Sequence, residues 1–192
     1  RKLSELTTKD FFAKVTENEM NDPAATIENL EPLLEALSAR QTSSSDTDDM
    51  EDPAPQKVSQ DLIGFLEGSS VSVKLMLWQR LRDAYATIEY QPMVAACYFR
   101  MMSMVLDEIR NTAFTDLEQE ERQKLLLKSM RMLHVMIGKV FAMSEKSSDT
   151  WECLDEDGLQ RAITLLSELL HVLQVFNVYE DSIQIGQTTP PL

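Results

Sequence analysis

The sequence predicts an all-α fold built from antiparallel helical hairpins, arranged either as an α-solenoid fragment or as a compact helical bundle. Three observations point there. Apolar residues recur at helical spacing along most of the 192 residues, glycine is scarce at 5, and runs with strand alternation are nearly absent. The chain is long enough for one sizeable core with an appended arm. The pattern divides it into a helical arm over 1–40, an acidic disordered linker over 41–58, a helical domain over 59–180 and a disordered tail over 181–192.

In the arm, Leu6, Phe11, Phe12, Val15 and Met20 suit a short, modestly amphipathic helix. A second helix starts at Asn21-Asp22-Pro23, with Asp22 as N-cap and Pro23 at the first helical position, where its missing donor costs nothing. It runs to about Arg40 and presents Ile27, Leu30, Leu33, Leu34 and Leu37 on one face. That face needs a partner, either the main body or another subunit. Pro32 inside it removes a backbone hydrogen bond and predicts a kink near Asn29 to Glu31.

From Gln41 to Lys57 the residues are mostly Ser, Thr, Asp and Pro with almost nothing apolar, too little to offset the entropy of ordering. Asp46, Asp48, Asp49, Glu51 and Asp52 lie here. They read either as a solvated tether or as a contact for a basic partner such as a histone. A calcium loop is excluded, because the central glycine and closing glutamate of an EF-hand are missing.

Ser59 to Gly68 forms a short helix anchored by Leu62, Ile63, Phe65 and Leu66, and Gly68-Ser69-Ser70 stops it. The next two helices meet at Glu89-Tyr90-Gln91-Pro92. In the first, Trp78, Leu81 and Tyr85 have the W-x2-L-x3-Y spacing that opens a tetratricopeptide repeat (TPR), and Leu77 and Ile88 broaden their face. This makes the 59–180 domain TPR-like, with Trp78, Leu81, Tyr85, Tyr90 and Pro92 as its signature. Arg82 departs from the repeat, standing where a small residue normally lets helices approach. The second helix is apolar almost all round, with Val94, Cys97, Met101 and Met104 on one side and Phe99 and Leu106 on the other.

Thr115-Asp116-Leu117-Glu118 supplies a capping box for a long helix. Its single apolar face is Leu126, Met130, Leu133, Ile137, Val140 and Phe141, with Lys128, Arg131 and Lys139 on the other side. Ser144 to Asp157 is a loop pinned by Trp151. The last helix runs from Gly158 to about Tyr179, centred on Leu159, Ile163, Leu166, Leu170 and Leu173 and widened by Leu165, Leu169 and Phe176.

Thirty-two acidic against 18 basic residues give a formal charge of −14, which disfavours direct nucleic-acid binding and favours solubility or a basic protein partner. No apolar run reaches the length of a membrane span, and a soluble chain in a reducing compartment is expected. The start at Arg-Lys-Leu and the end at Thr-Thr-Pro-Pro-Leu suggest a piece of a longer protein.

Catalytic, cofactor and metal sites are not expected. His134 and His171 sit on different helices without ligand spacing, and His134 reads as a partly buried, hydrogen-bonded histidine at the edge of its stripe. Cys97 reads as packing. Met93, Met101, Met102 and Met104, like Met130, Met132, Met136 and Met143, read as core filler rather than a binding groove. Two wide apolar helices and a detachable arm leave self-association open.

The stretch Leu77 to Met102, with Leu77-Trp78, Arg80-Leu81, Tyr85 to Tyr90, Pro92 and Cys97-Tyr98-Phe99-Arg100, resembles the histone transcription regulator 3 and cabin family. The likeness thins towards Glu120-Glu121-Arg122, and none is visible before Val71. It implies a nuclear, non-enzymatic scaffold subunit of the HIR histone-chaperone complex, organising WD-repeat and ubinuclein-like partners and supporting histone deposition outside replication. The alternative is a general TPR-like peptide-binding adaptor, which exposed Arg82, Tyr90 and Arg100 would favour.

Overall fold

The structure, a computed structural model, describes residues 8–16, 21–42, 60–113, 118–146, 160, 162–172 and 174. These residues form helices α1 (Thr8–Thr16), α2 (Pro23–Thr42), α3 (Gln60–Glu67), α4 (Val71–Thr87), α5 (Gln91–Ala113) and α6 (Gln119–Lys146). A further helical stretch covers 162–172, and no strand occurs among the described residues. The fold is all-α. The chain divides into two compact units, Arg1–Cys97 and Tyr98–Leu192, with the division inside α5.

In the first unit α2 packs along α4 and against α3, and α1 packs on α3. The N-terminal helices are therefore in cis contact with the helices that follow residue 59. α2 starts as its sequence dictates: Asp22 Oδ1 accepts a hydrogen bond from the Ala24 N–H at 3.0 Å, satisfying one of the orphan donors of the first turn. Thr26, a buried polar side chain, donates its hydroxyl to the Asp22 carbonyl at 3.0 Å. Helix α2 runs unbroken past Pro32, which lies on its exposed side, where water can reach the carbonyl the proline leaves without a donor. Its opposite side buries Leu30, Leu33, Leu34 and Leu37, and the helices it packs on bury Leu62, Ile63 and Leu66 in α3 and Leu77, Leu81 and Tyr85 in α4.

Two apolar residues expected in this core are at the surface. Phe65 is half exposed, lying edge-on to Phe12 of α1 with ring centroids 5.4 Å apart. Ile88 is half exposed because α4 ends at Thr87, so that Ile88 belongs to the turn and not to the helix face. Trp78 is only partly buried, while Leu75 and Ala84 take core positions beside Leu77 and Leu81.

In the second unit the remainder of α5 buries Tyr98, Phe99, Met101, Met102, Val105, Leu106 and Ile109. Together with Val94, Ala95 and Cys97 they cover an arc of about 200° at 100° per residue, so α5 is enclosed on most of its circumference and open along Arg100, Asp107 and Arg110. Helix α6 buries Met130, Leu133, Met136, Ile137 and Val140. Met101, Met102, Met130 and Met136 are thus core filler, and Met93, Met104, Met132 and Met143 are partly buried.

Three expectations for this unit are corrected. Phe141, at the flank of the α6 stripe, is half exposed, and His134 is exposed rather than partly buried. In 162–172 the buried residues are Ala162 and Leu169, with Leu165, Leu166 and Val172 partly buried, while Ile163 and Leu170 are half exposed. The helix is rotated from the expected stripe by about one residue, or 100°. In this rotation Leu169 is fully buried and Glu168 pairs with Arg110 of α5 at 2.8 Å. The capping box over 115–117, the Trp151 loop, Leu159, Leu173, Phe176 and the tail lie outside the described residues.

Candidate functional site

Of the signature residues, Tyr85 and Tyr90 meet at the turn between α4 and α5, and Tyr85 also reaches α2 packed behind it. This turn closes without glycine. Ile88 caps α4, Glu89 adopts the left-handed region with φ of 58°, and Tyr90 restarts the chain. The Tyr90 N–H reaches the Tyr85 carbonyl at 3.0 Å and the Glu89 N–H reaches the Ala86 carbonyl at 3.1 Å. This pair of bonds is a Schellman motif, and the contact that usually accompanies it is present as the Tyr85–Tyr90 ring pair at 5.9 Å. The Tyr90 carbonyl then accepts from the Val94 N–H at 3.3 Å, which makes Tyr90 the entry to α5, with Pro92 buried in the first turn.

Tyr85 joins the turn to α2. Its hydroxyl donates to Glu31 Oε1 at 2.5 Å, across 54 residues of sequence. Burial first, and then the hydrogen bond to Glu31 and the charge of that carboxylate, hold the phenol well above the ordinary tyrosine range. A phenol kept protonated and committed to a carboxylate is a tie between two helices. It is not a reactive group. Cys97 is buried near it and free of any disulfide, a packing position.

Of the expected signature, Leu81, Tyr85 and Pro92 are buried, Trp78 is partly buried, and Tyr90 is 49% exposed. Arg82 is partly buried and paired with Asp83 at 2.6 Å, which occupies a charge the adaptor reading would need open. Glu31 is the residue that sequence pattern missed: it is one of several glutamates in a helix, and only the tertiary approach of α4 selects it. Asp46, Asp48, Asp49, Glu51 and Asp52 lie outside the described residues. Among the described residues no three His, Cys, Asp or Glu side chains are grouped to hold a metal ion, and no helix is long and apolar enough to cross a membrane.

The chain matches, over residues 1–192, the family model described as the histone transcription regulator 3 helical domain. The likeness therefore extends well beyond the 77–122 stretch that carried it in the sequence. Proteins named histone transcription regulator 3 homolog are similar to it. That of Aspergillus fumigatus is 32% identical over 189 residues, 98% of this chain and 9% of that protein. That of Aspergillus oryzae is 30% identical over 97% of this chain and 9% of its own length. The protein from Schizosaccharomyces pombe is 31% identical over 126 residues, 65% of this chain and 7% of that protein. The chain spans less than a tenth of the length of these relatives, and it belongs to the histone transcription regulator 3 helical-domain family.

Proposed function

We propose that this chain is a non-enzymatic scaffold segment of a nuclear histone-chaperone complex. In that role it supports replication-independent nucleosome assembly and histone gene regulation through contacts with the complex's WD-repeat and ubinuclein-like subunits and with histones. The family match over the whole chain is the observation that supports this reading. The helical build is consistent with it: in the first unit the Tyr85–Glu31 hydrogen bond ties α4 to α2, and packed helices of this kind offer surfaces for holding other proteins.

The test is capture by purified components. The 192-residue chain, immobilised, is expected to retain a WD-repeat subunit, a ubinuclein-like subunit or a histone H3–H4 complex at about 0.3 M salt, where surface electrostatics alone are largely screened. Retention of none of the three overturns the proposal.

A further inference from the structure

Helix α6 carries a second face, roughly opposite its buried one. At 100° per residue Lys128, Arg131, Val135, Gly138, Lys139 and Ala142 fall within a sector of about 100°. All six are exposed, and Val135 is 55% open, the most exposed of the large apolar residues described. Val135, Gly138 and Ala142 form a line of small apolar side chains at i, i+3 and i+7, with Arg131 inside its width of about 60° and Lys128 and Lys139 along one side of it. From Arg122 to Ser144 the helix contains no Asp or Glu, in a chain with 32 acidic residues and a net charge of −14. Lys124 pairs with Glu120 at 2.7 Å, whereas Lys128, Arg131 and Lys139 make no ion pair among the described residues.

Gly138 adds a separate observation. A Cβ built there meets nothing within 4 Å, so packing within the chain gives no reason for glycine in the middle of a long helix, where it weakens the helix. A partner backbone lying close along the Val135–Gly138–Ala142 line does give one.

We propose that this face of α6 docks an acidic amphipathic helix of a partner protein, its apolar seam on Val135, Gly138 and Ala142 and its carboxylates on Lys128, Arg131 and Lys139. From Lys128 to Ala142 the face is about 21 Å long, about four helical turns, and its apolar seam from Val135 to Ala142 covers about two of them. Charge selects the occupant: three cations without an ion pair among the described residues, one within the apolar strip and two along its side, complement an acidic helix. A nucleic-acid backbone would face the −14 of the whole chain with too few cations to displace its counterions. This contact goes beyond the scaffold proposal and does not rest on it, because capture of histone-chaperone subunits can succeed or fail independently of it.

The 192-residue chain is titrated with three labelled probes: a synthetic helical peptide with an Ala/Leu seam flanked by glutamates, the same peptide with lysine for glutamate, and a short DNA duplex. The glutamate peptide is expected to bind at least about 10-fold tighter than the lysine peptide. The combined variant Lys128→Glu, Arg131→Glu, Lys139→Glu is expected to lose about 10-fold or more in affinity. Gly138→Gln is expected to weaken binding about 5-fold and Gly138→Ala by a smaller factor, while the Tm of each stays at or above that of the parent chain. Equal affinity for the two peptides, or an unchanged affinity in Gly138→Gln, overturns the proposal. So does duplex binding that the triple variant abolishes, which assigns the face to nucleic acid, or a concentration-dependent dimer that it abolishes, which assigns the face to a second copy.

Discussion

Glu89 and Tyr85 show how single residues hold the α4–α5 turn. A non-glycine residue in the left-handed region costs about 1–2 kcal/mol, and here two Schellman hydrogen bonds and the Tyr85–Tyr90 contact offset it. Glu89→Gly relieves the steric cost and keeps both bonds, so it is expected to raise stability by about 1 kcal/mol, read as a higher urea midpoint at unchanged slope. Glu89→Val, β-branched at the same φ, is expected to lower it. Tyr85→Phe leaves a part-buried carboxylate without its donor and is expected to cost about 1.5–3 kcal/mol. The same tyrosine carries a pH signature. Its folded pKa lies above the unfolded value of about 10, so its contribution is fully present below that pH and is lost as pH rises beyond it. Denaturation midpoints measured from pH 8 to 11, roughly, should therefore fall more steeply above pH 10 in the parent chain than in Tyr85→Phe.

At the scale of elements, what the sequence discloses depends on how local the cause is. The start of α2 is legible because Asp22 and Pro23 act within one turn, and the enclosure of α5 is legible because its apolar residues surround it. The turn at Glu89 is hidden because no glycine marks it, and the tie from Tyr85 to Glu31 is hidden because it spans 54 residues. The rotation of the 162–172 helix is hidden for a different reason. Leu165, Leu166, Leu169 and Leu170 form overlapping stripes of equal period, and only tertiary packing, which buries Leu169, breaks the tie between them. The outer face of α6 is missed because its lysines look like an ordinary solvated side; the space around Gly138 and the missing ion pairs are three-dimensional facts. The leucine stripes give a sharp test. Leu169 is fully buried and Leu170 half exposed, so Leu169→Ala is expected to cost about 3 kcal/mol and Leu170→Ala less than about 1. Equal losses in urea or thermal unfolding would restore the stripe centred on Leu170.

On the scale of the whole molecule, charge is distributed unevenly in a way that divides the binding problem. The chain carries −14 overall, yet the stretch from Arg122 to Ser144 is free of carboxylates, while Asp46, Asp48, Asp49, Glu51 and Asp52 fall within seven residues. The chain therefore carries one stretch whose charge suits an acidic partner and another whose charge suits a basic one. Under the proposed function the basic partner is a histone, and the five carboxylates add a long-range attraction that salt screens, with a Debye length shrinking from about 10 Å at 0.1 M to about 3 Å at 1 M. Replacing the five by Ser and Asn removes their charge and touches no described core residue. At about 0.2–1 kcal/mol for each exposed charge contact, and with some of the five engaged, histone affinity is expected to drop about 10-fold at 0.1 M salt. The difference should shrink towards none as salt rises to about 0.5 M, while the thermal midpoint of the chain stays unchanged. A titration of histone H3–H4 against both proteins across that salt range measures the effect. Equal affinities at low salt would reduce the segment to a tether and leave histone contact, if it occurs, to the helical units.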